Sequence, residues 1–81
     1  MVKEQIQVLL YRTDSCIWCH KAMEWLKAHK IKFTEKKVDH DDKAAEEMIE
    51  KSGQRGVPVL DIGGKIIVGF DEPAMKKALK L

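Results

Sequence analysis

Two cysteines and a histidine occur together in the segment C-I-W-C-H, which runs from Cys16 to His20. The pattern C-x-x-C-H is the attachment site of a c-type haem, with the histidine as an axial ligand. A C-x-x-C pair that follows a strand is also typical of a redox-active dithiol, whose sulfurs themselves react. A close cysteine pair can also hold a metal ion. The surrounding elements decide between these three chemistries.

The cysteine pair lies where a predicted strand turns into a predicted helix. Residues 6–12 alternate and then run apolar, as a mostly buried strand does. Residues 13–15 are a turn that can cap a helix, and apolar residues at helical spacing follow over residues 17–30. Cys16 is therefore expected at the N-terminal end of the first helix, where unpaired N–H groups and the helix dipole favour an anion.

This position predicts unequal roles for the two thiols. The thiolate is the form that attacks a disulfide, and the pKa of a cysteine near 8.5 can fall to roughly 3.5–7.5 at a helix N-terminus. Cys19 lies one helical turn further on the same face, and its deeper position should keep it protonated until it is needed. We therefore predict that Cys16 attacks a disulfide and that Cys19 resolves the mixed disulfide that forms.

The remainder of the chain predicts a strand, a helix, a hairpin and a final helix. Residues 32–39 alternate as an exposed edge strand does, and residues 57–62 and 65–70 flank a two-residue turn. The cap and turn residues that bound these elements are Asp41, Asp42, Gly53, Gly63, Gly64, Asp71 and Pro73. The predicted order is β-α-β-α-β-β-α, in a single domain that spans residues 1–81.

The bulk composition excludes several classes of partner. The 15 basic and 13 acidic residues are interspersed and give a net charge of +2, which offers no electrostatic case for nucleic acid or an anionic membrane. No stretch approaches the roughly 20 apolar residues of a membrane span, and the first residues are too short an apolar run for a signal peptide. We therefore expect a cytoplasmic protein, in which a close cysteine pair is catalytic or metal-binding, not a structural disulfide.

A second candidate feature is Val57-Pro58 at the start of a later strand. Proline lacks the N–H that a sheet ladder requires, so it is tolerated at a strand start, an edge or a bulge. Proline is also where a cis peptide bond can occur. A cis bond beside the dithiol would aim the backbone of Val57 at an extended substrate, which would pair with it like a strand. The alternative is an ordinary trans proline at the junction of a loop and a strand.

Three segments occur in one order along the chain: YRTDSCIWCHKAMEWL, GQRGVPVL and GGKIIVGFDEPA. Together they resemble the glutaredoxin family, over about residues 6–79, and they are most similar to the short glutaredoxin-like and NrdH-type redoxins. The resemblance implies a thioredoxin-like fold, with a four-stranded mixed sheet in the order 2-1-3-4 flanked by three helices. It also implies a monomeric thiol-disulfide oxidoreductase, without a bound cofactor, that reduces protein disulfides or glutathione mixed disulfides.

The source of electrons is left open by two departures from the family pattern. Glutaredoxins usually have proline and tyrosine between the cysteines, where this chain has Ile17 and Trp18. Of the loop that binds glutathione in relatives, only Gly69 and Asp71 match. The Gly-Phe step at Phe70 is similar to NrdH-type redoxins, which take electrons from thioredoxin reductase and supply ribonucleotide reductase. Glutathione and thioredoxin reductase are therefore both candidate partners.

The resemblance and the residue types together give a set of candidate substrate-binding residues. Trp18 lies on an exposed turn between the cysteines and could form a platform for substrate, since aromatic residues are enriched at contact sites. Arginine side chains could bind a glutathione carboxylate, whereas solvated charge is their simpler interpretation. The predicted substrate-binding residues are Arg12, Trp18, Gln54, Arg55, Val57, Pro58, Gly69, Phe70 and Asp71.

Metal and haem sites are the remaining alternatives for the cysteine pair. A structural zinc site normally needs four ligands, and the chain has no second cysteine pair. His20 and the distant His40 would complete such a site poorly, and the resemblance gives no reason to expect covalent haem. We predict no resident metal, with a metal or Fe–S carrier that uses Cys16 and Cys19 as the alternative function.

Overall fold

A four-stranded sheet with helices on both faces forms the protein. The structure is a computed structural model that describes residues 6–81. Its elements are β1 (Val8–Arg12), α1 (Ile17–Ala28), β2 (Thr34–Lys37), α2 (Asp42–Ser52), β3 (Val59–Ile62), β4 (Lys65–Val68) and α3 (Glu72–Leu79). The strand order is β2-β1-β3-β4, so both the order of elements and the sheet order confirm the prediction.

The central strand β1 leads directly into the cysteine pair. It runs parallel to β2 and antiparallel to β3, and β4 pairs antiparallel with β3. The turn between β3 and β4 uses Gly63 and Gly64, whose φ angles are 59° and 95°. Positive φ at both residues is what a two-residue hairpin turn of the type I′ class requires, as the sequence predicted.

Alternate residues of the strands face two different layers of helix. The face that packs against α1 and α3 (the α1 face) carries the larger core cluster of Val8, Leu10, Ala22, Trp25, Leu26, Leu60, Ile62, Ile67 and Met75. The opposite face (the α2 face) carries a smaller cluster of Tyr11, Met48 and Val59. Trp25 is buried in the first cluster, as predicted, and its indole N–H donates to Glu72 Oε1 over 3.0 Å.

The helix ends confirm the predicted caps and correct one boundary. Asp41 accepts backbone N–H groups at the start of α2, and Gly53 ends that helix with a φ of 73°. The helix α1 ends at Ala28, not at Lys30, because Lys30 adopts a left-handed φ of 58°. The N–H of Ile31 then donates to the carbonyl of Leu26 over 2.9 Å, which is the bond that closes a Schellman motif.

The strands are also shorter than predicted. The first strand begins at Val8, and the hairpin strands span Val59–Ile62 and Lys65–Val68. Pro58 lacks the N–H that would extend β3, and Gly69 ends β4 with a φ of 84°. None of the helices within residues 6–81 has the length and apolar character needed to cross a membrane.

Candidate active site

Cys16 is the N-cap residue of α1. Its backbone is extended, with φ −81° and ψ 109°, and its Sγ accepts the backbone N–H of Cys19 over 3.1 Å. The N–H of Cys16 in turn donates to the carbonyl of Thr13 over 3.4 Å, which closes the preceding turn. The sulfur is partly exposed and lies at the positive end of the helix, so it can be reached by a substrate and is placed where an anion is stabilised.

Cys19 lies one turn further along α1 and is fully buried. It points toward the sheet on the same helix face as Ala22 and Leu26. Burial, followed by the hydrogen bond with Cys16, raises the pKa of the Cys19 thiol to about 12, while the Thr13 backbone and the charge of Arg12 act in the opposite direction. Cys19 is therefore held as a neutral thiol inside the reduced protein.

A groove of about 270 Å³ is lined by predicted substrate-binding residues. Its lining residues are Trp18, Val57, Pro58, Gly69 and Phe70. Trp18 is 57% exposed and stacks on Phe70, with ring centroids 6.3 Å apart and an interplanar angle of 29°. Two aromatic rings thus form an apolar surface beside the turn that carries Cys16.

The segment before β3 and the end of β4 meet in this groove. The Val57-Pro58 peptide bond is cis. The carbonyl oxygen of Pro58 accepts the N–H of Gly69 over 2.8 Å, so the two segments are held side by side. Their alignment places residues from two distant motifs of the sequence in one surface.

Arg12 does not lie in the groove, contrary to its predicted role in binding substrate. It is only 6% exposed, and its Nη1 donates to Glu35 Oε1 over 2.8 Å. Its Nη2 lies 3.9 Å from Asp14 Oδ1. Among the described residues, its buried Nε has no hydrogen-bond partner. A side chain held in this way cannot reach a carboxylate on the surface.

The other polar candidates are used largely in shaping the protein. The amide of Gln54 donates to Ser52 Oγ and to the carbonyl of Gly56, and its Oε1 accepts the N–H of Gly56 over 2.6 Å. Asp71 caps α3 by accepting the N–H of Ala74 over 3.2 Å. Arg55 is exposed on the loop after α2. The structure therefore separates an apolar groove from the polar residues predicted to accompany it.

Residues 8–67 match the glutaredoxin family. A glutaredoxin-like 8.6 kDa protein in the rubredoxin operon of Clostridium pasteurianum is 42% identical over 73 residues, which cover 90% of this chain and 97% of that protein. This chain belongs to the glutaredoxin family. Members of the glutaredoxin family are thiol redox proteins, so the predicted membership is confirmed and the cysteine pair is assigned to redox chemistry at the level of the family.

Two further glutaredoxins agree with this assignment. Glutaredoxin 3 of Escherichia coli K12 is 34% identical over 65 residues, covering 80% of this chain and 78% of that protein. The crystal structure of a glutaredoxin from Archaeoglobus fulgidus superposes with a TM-score of 0.85 at 27% identity, over 94% of this chain and 88% of that chain. The thioredoxin-like fold is therefore confirmed.

Sequence reasoning missed a charged cluster beside the active-site turn of this glutaredoxin-family chain. The carboxylate of Asp14 lies 2.8 Å from His40 Nε2 and 3.3 Å from Lys37 Nζ, and these two hydrogen bonds lower the pKa of Asp14. The carbonyl of Asp14 meets His20 Nε2 at 3.0 Å. No local sequence pattern could have indicated this cluster, because its members come from separate elements.

The structure also bears on where a metal could be held. Over residues 6–81, the group of three potential metal ligands that lie together is Asp14, Asp39 and His40. That group contains no cysteine, and the cationic Lys37 shares one of its carboxylates. Its arrangement is that of a solvated ion-pair cluster.

Proposed function

We propose that this protein is a dithiol oxidoreductase that reduces disulfide bonds of protein partners, with Cys16 as nucleophile and Cys19 as resolving thiol. The observation that carries the proposal is the geometry of the pair. Cys16 Sγ caps the helix and is accessible, whereas Cys19 is buried one turn inside. This asymmetry is what a two-step exchange requires.

In the first step, the thiolate of Cys16 attacks one sulfur of the substrate disulfide. A sulfur–sulfur bond forms between Cys16 and the substrate, the substrate's own disulfide bond breaks, and the departing sulfur leaves with the electron pair and takes up a proton. The N–H of Cys19 already donates to Cys16 Sγ, so the attacking anion needs little reorganisation of the helix terminus.

The second step requires that Cys19 lose its proton. Two of the causes that raise its pKa, the hydrogen bond and the charge interaction with Cys16, come from Cys16 itself. Both are weakened once the Cys16 sulfur is bound in a neutral mixed disulfide. Cys19 then becomes easier to ionise and attacks Cys16 Sγ, so that the Cys16–Cys19 disulfide forms and the second substrate sulfur leaves as a thiol.

The groove favours an extended protein segment as the substrate. Its surface is formed by the stacked Trp18 and Phe70, which suit an apolar side chain next to the target cysteine. The backbone of Val57 can pair with such a segment as an added strand. Because Arg12 and Gln54 are engaged within the protein, glutathione finds fewer polar partners, and glutathione mixed disulfides are the alternative substrate.

The oxidised protein must then be reduced by an external thiol system. We propose a cytoplasmic monomer without a bound cofactor, whose disulfide is reduced by thioredoxin reductase or by glutathione. With thioredoxin reductase, the protein would act as an NrdH-type electron donor to ribonucleotide reductase. The apolar groove favours a protein partner over the charged tripeptide.

Turnover of insulin and of a glutathionylated peptide, each coupled to NADPH through glutathione reductase or thioredoxin reductase, tests this proposal. We expect wild-type activity on insulin and no turnover by Cys16→Ser, because no nucleophile remains. Cys19→Ser should accumulate a mixed disulfide that mass spectrometry detects, and it should retain turnover only with glutathionylated peptide. Inactivity of the wild-type protein with every reductant, or undiminished insulin reduction by Cys19→Ser, would contradict the proposal.

A further inference from the structure

The last residue of β1 points a permanent positive charge into the protein. Val8 and Leu10 belong to the core cluster of the α1 face, and the two-residue period of a strand places Arg12 on that same face. Cys19 points down toward this face from the first turn of α1. Arg12 therefore lies beneath the helix end that carries the resolving thiol, and the effect of its charge on Cys19 agrees with that placement.

The acidic partners of Arg12 lie toward solvent. The side chains of Glu35 and Asp14 are 43% and 52% exposed, so water screens both carboxylates, whereas the guanidinium itself is buried. Within the described part of the chain, its buried Nε donates to no acceptor. A buried N–H without a partner is rare in folded proteins and calls for a functional or structural reason.

We propose that Arg12 promotes the resolving step by stabilising the thiolate of Cys19 through its charge. This inference rests on the proposed function. In the step concerned, the Cys19 sulfur bonds to Cys16 Sγ, the bond between Cys16 and the substrate breaks, and the proton that Cys19 loses is taken up by the departing thiolate. Arg12 stays protonated and touches no substrate, so it is a positioning residue that acts through Cys19.

The size of the effect follows from the chemistry of thiols. Lowering the pKa of Cys19 by about one unit raises its thiolate fraction about tenfold near neutral pH. The same change lowers the intrinsic nucleophilicity about threefold, because the Brønsted coefficient for thiolates is about 0.4–0.5. The net gain in the rate of resolution is therefore about threefold, together with a shift of about one unit in its pH profile.

The reaction of the reduced protein with dithiobis(nitrobenzoate) isolates this step. Attack by Cys16 releases a first thionitrobenzoate, and attack by Cys19 on the mixed disulfide releases a second, so stopped-flow absorbance records the two steps as successive phases. The assay uses neither a physiological substrate nor a reductase. A protein that resolves this probe but fails on insulin would overturn the proposed function and leave the inference about Arg12 intact.

In Arg12→Met, the second phase should slow about threefold at neutral pH, and its pH midpoint should rise by about one unit. Arg12→Lys, which keeps the charge, should move both values back toward wild type. Glu35→Gln removes a counter-charge and still accepts a hydrogen bond, so it should shift the midpoint in the opposite direction. Lys37→Met removes an exposed cation that also contacts Asp14, and it should leave the second phase unchanged.

The opposite signs separate an electrostatic role from a loss of structure. If Arg12→Met and Glu35→Gln both leave the pH midpoint of the second phase unchanged, or shift it in the same direction, the inference is overturned. Circular dichroism establishes that each variant is folded. If Arg12→Met does not fold, the direction of the Glu35→Gln shift decides the matter, since its substituted side chain is partly exposed.

Discussion

Tyr11 and Arg12 are neighbours in β1 that point to opposite faces of the sheet, and their surroundings differ. Tyr11 is fully buried on the α2 face. Its hydroxyl donates to Glu47 Oε1 and accepts from Lys51 Nζ, each over 2.9 Å. Arg12 is buried on the α1 face with an unpartnered Nε and a buried thiol, Cys19, as its neighbour. One polar side chain is fully satisfied and the other is not.

The network around Tyr11 continues across the α2 face. Lys51 Nζ also donates to Asp61 Oδ2 over 2.8 Å, and Lys36 Nζ pairs with Glu47 over 2.9 Å. These bonds join α2 to three strands, and every one of them is structural. A satisfied polar network rigidifies a fold, whereas an unsatisfied buried charge next to a nucleophile is available for chemistry. The α2 face therefore supports the scaffold, and the α1 face carries the reaction.

The largest expected effect is on the α2 face. Lys51→Met should lower the free energy of unfolding by about 2 kcal/mol, because the mostly buried carboxylate of Asp61 loses its charged partner. The hydrogen bonds with Asp61 and Tyr11 raise the pKa of Lys51, so this stabilisation is present at neutral pH and is lost only under strongly alkaline conditions. Urea unfolding at neutral pH measures the change.

The control for this variant is Lys65→Met, which removes an exposed lysine from β4 and should alter stability by less than about 0.5 kcal/mol. Both phases of the dithiobis(nitrobenzoate) reaction should be unchanged in Lys51→Met. If its second phase shifted in pH as much as that of Arg12→Met, the separation of the two faces would not hold.

A smaller effect is expected from the buried thiol of the α1 face at alkaline pH. A cysteine in the unfolded chain ionises near its ordinary pKa of 9.0, whereas folded Cys19 keeps its proton to about 12. Unfolding therefore releases a proton between these values, and stability should fall there by up to about 1.4 kcal/mol per pH unit. Urea midpoints of the reduced protein from neutral pH to about pH 10 measure this slope.

The oxidised protein is the matched control, because its cysteines carry no proton to lose. The reduced Cys19→Ala variant should also lack the Cys19 contribution to the slope. Equal slopes in the reduced and oxidised wild-type proteins would show that burial does not hold the Cys19 proton, and the contrast between the two thiols would then be lost.

The elements, caps and reactive cysteines could be predicted from sequence because their signals are local. Gly63-Gly64 requires a turn, Asp71 with Pro73 starts a helix, and Cys16 follows a capping turn. The order of the strands came from the family resemblance, since periodicity alone does not fix which strands pair.

The environment of Arg12 could not be predicted in the same way. Its two-residue spacing from Leu10 indicated an inward direction, yet a charged residue at the end of a strand suggested the surface. What permits its burial is Glu35 on the neighbouring strand, and the parallel register that pairs Leu10 with Glu35 is a tertiary property. The contact between Asp14 and His40 is likewise set by how two loops meet, not by either loop alone.

The smallest expected effect concerns the exposed edge of the α1 face. Trp18→Ala should raise the KM for insulin about three- to tenfold, because an aromatic contact of roughly 0.6–1.4 kcal/mol is lost from the groove, and kcat should change little. Stability should stay within about 0.5 kcal/mol, since Trp18 is largely exposed. The matched control is Ile49→Ala, which removes an exposed apolar side chain from α2 and should leave KM unchanged. Equal increases in KM for both variants would mean that the substrate contacts both faces, and the assignment of recognition to the groove would then be wrong.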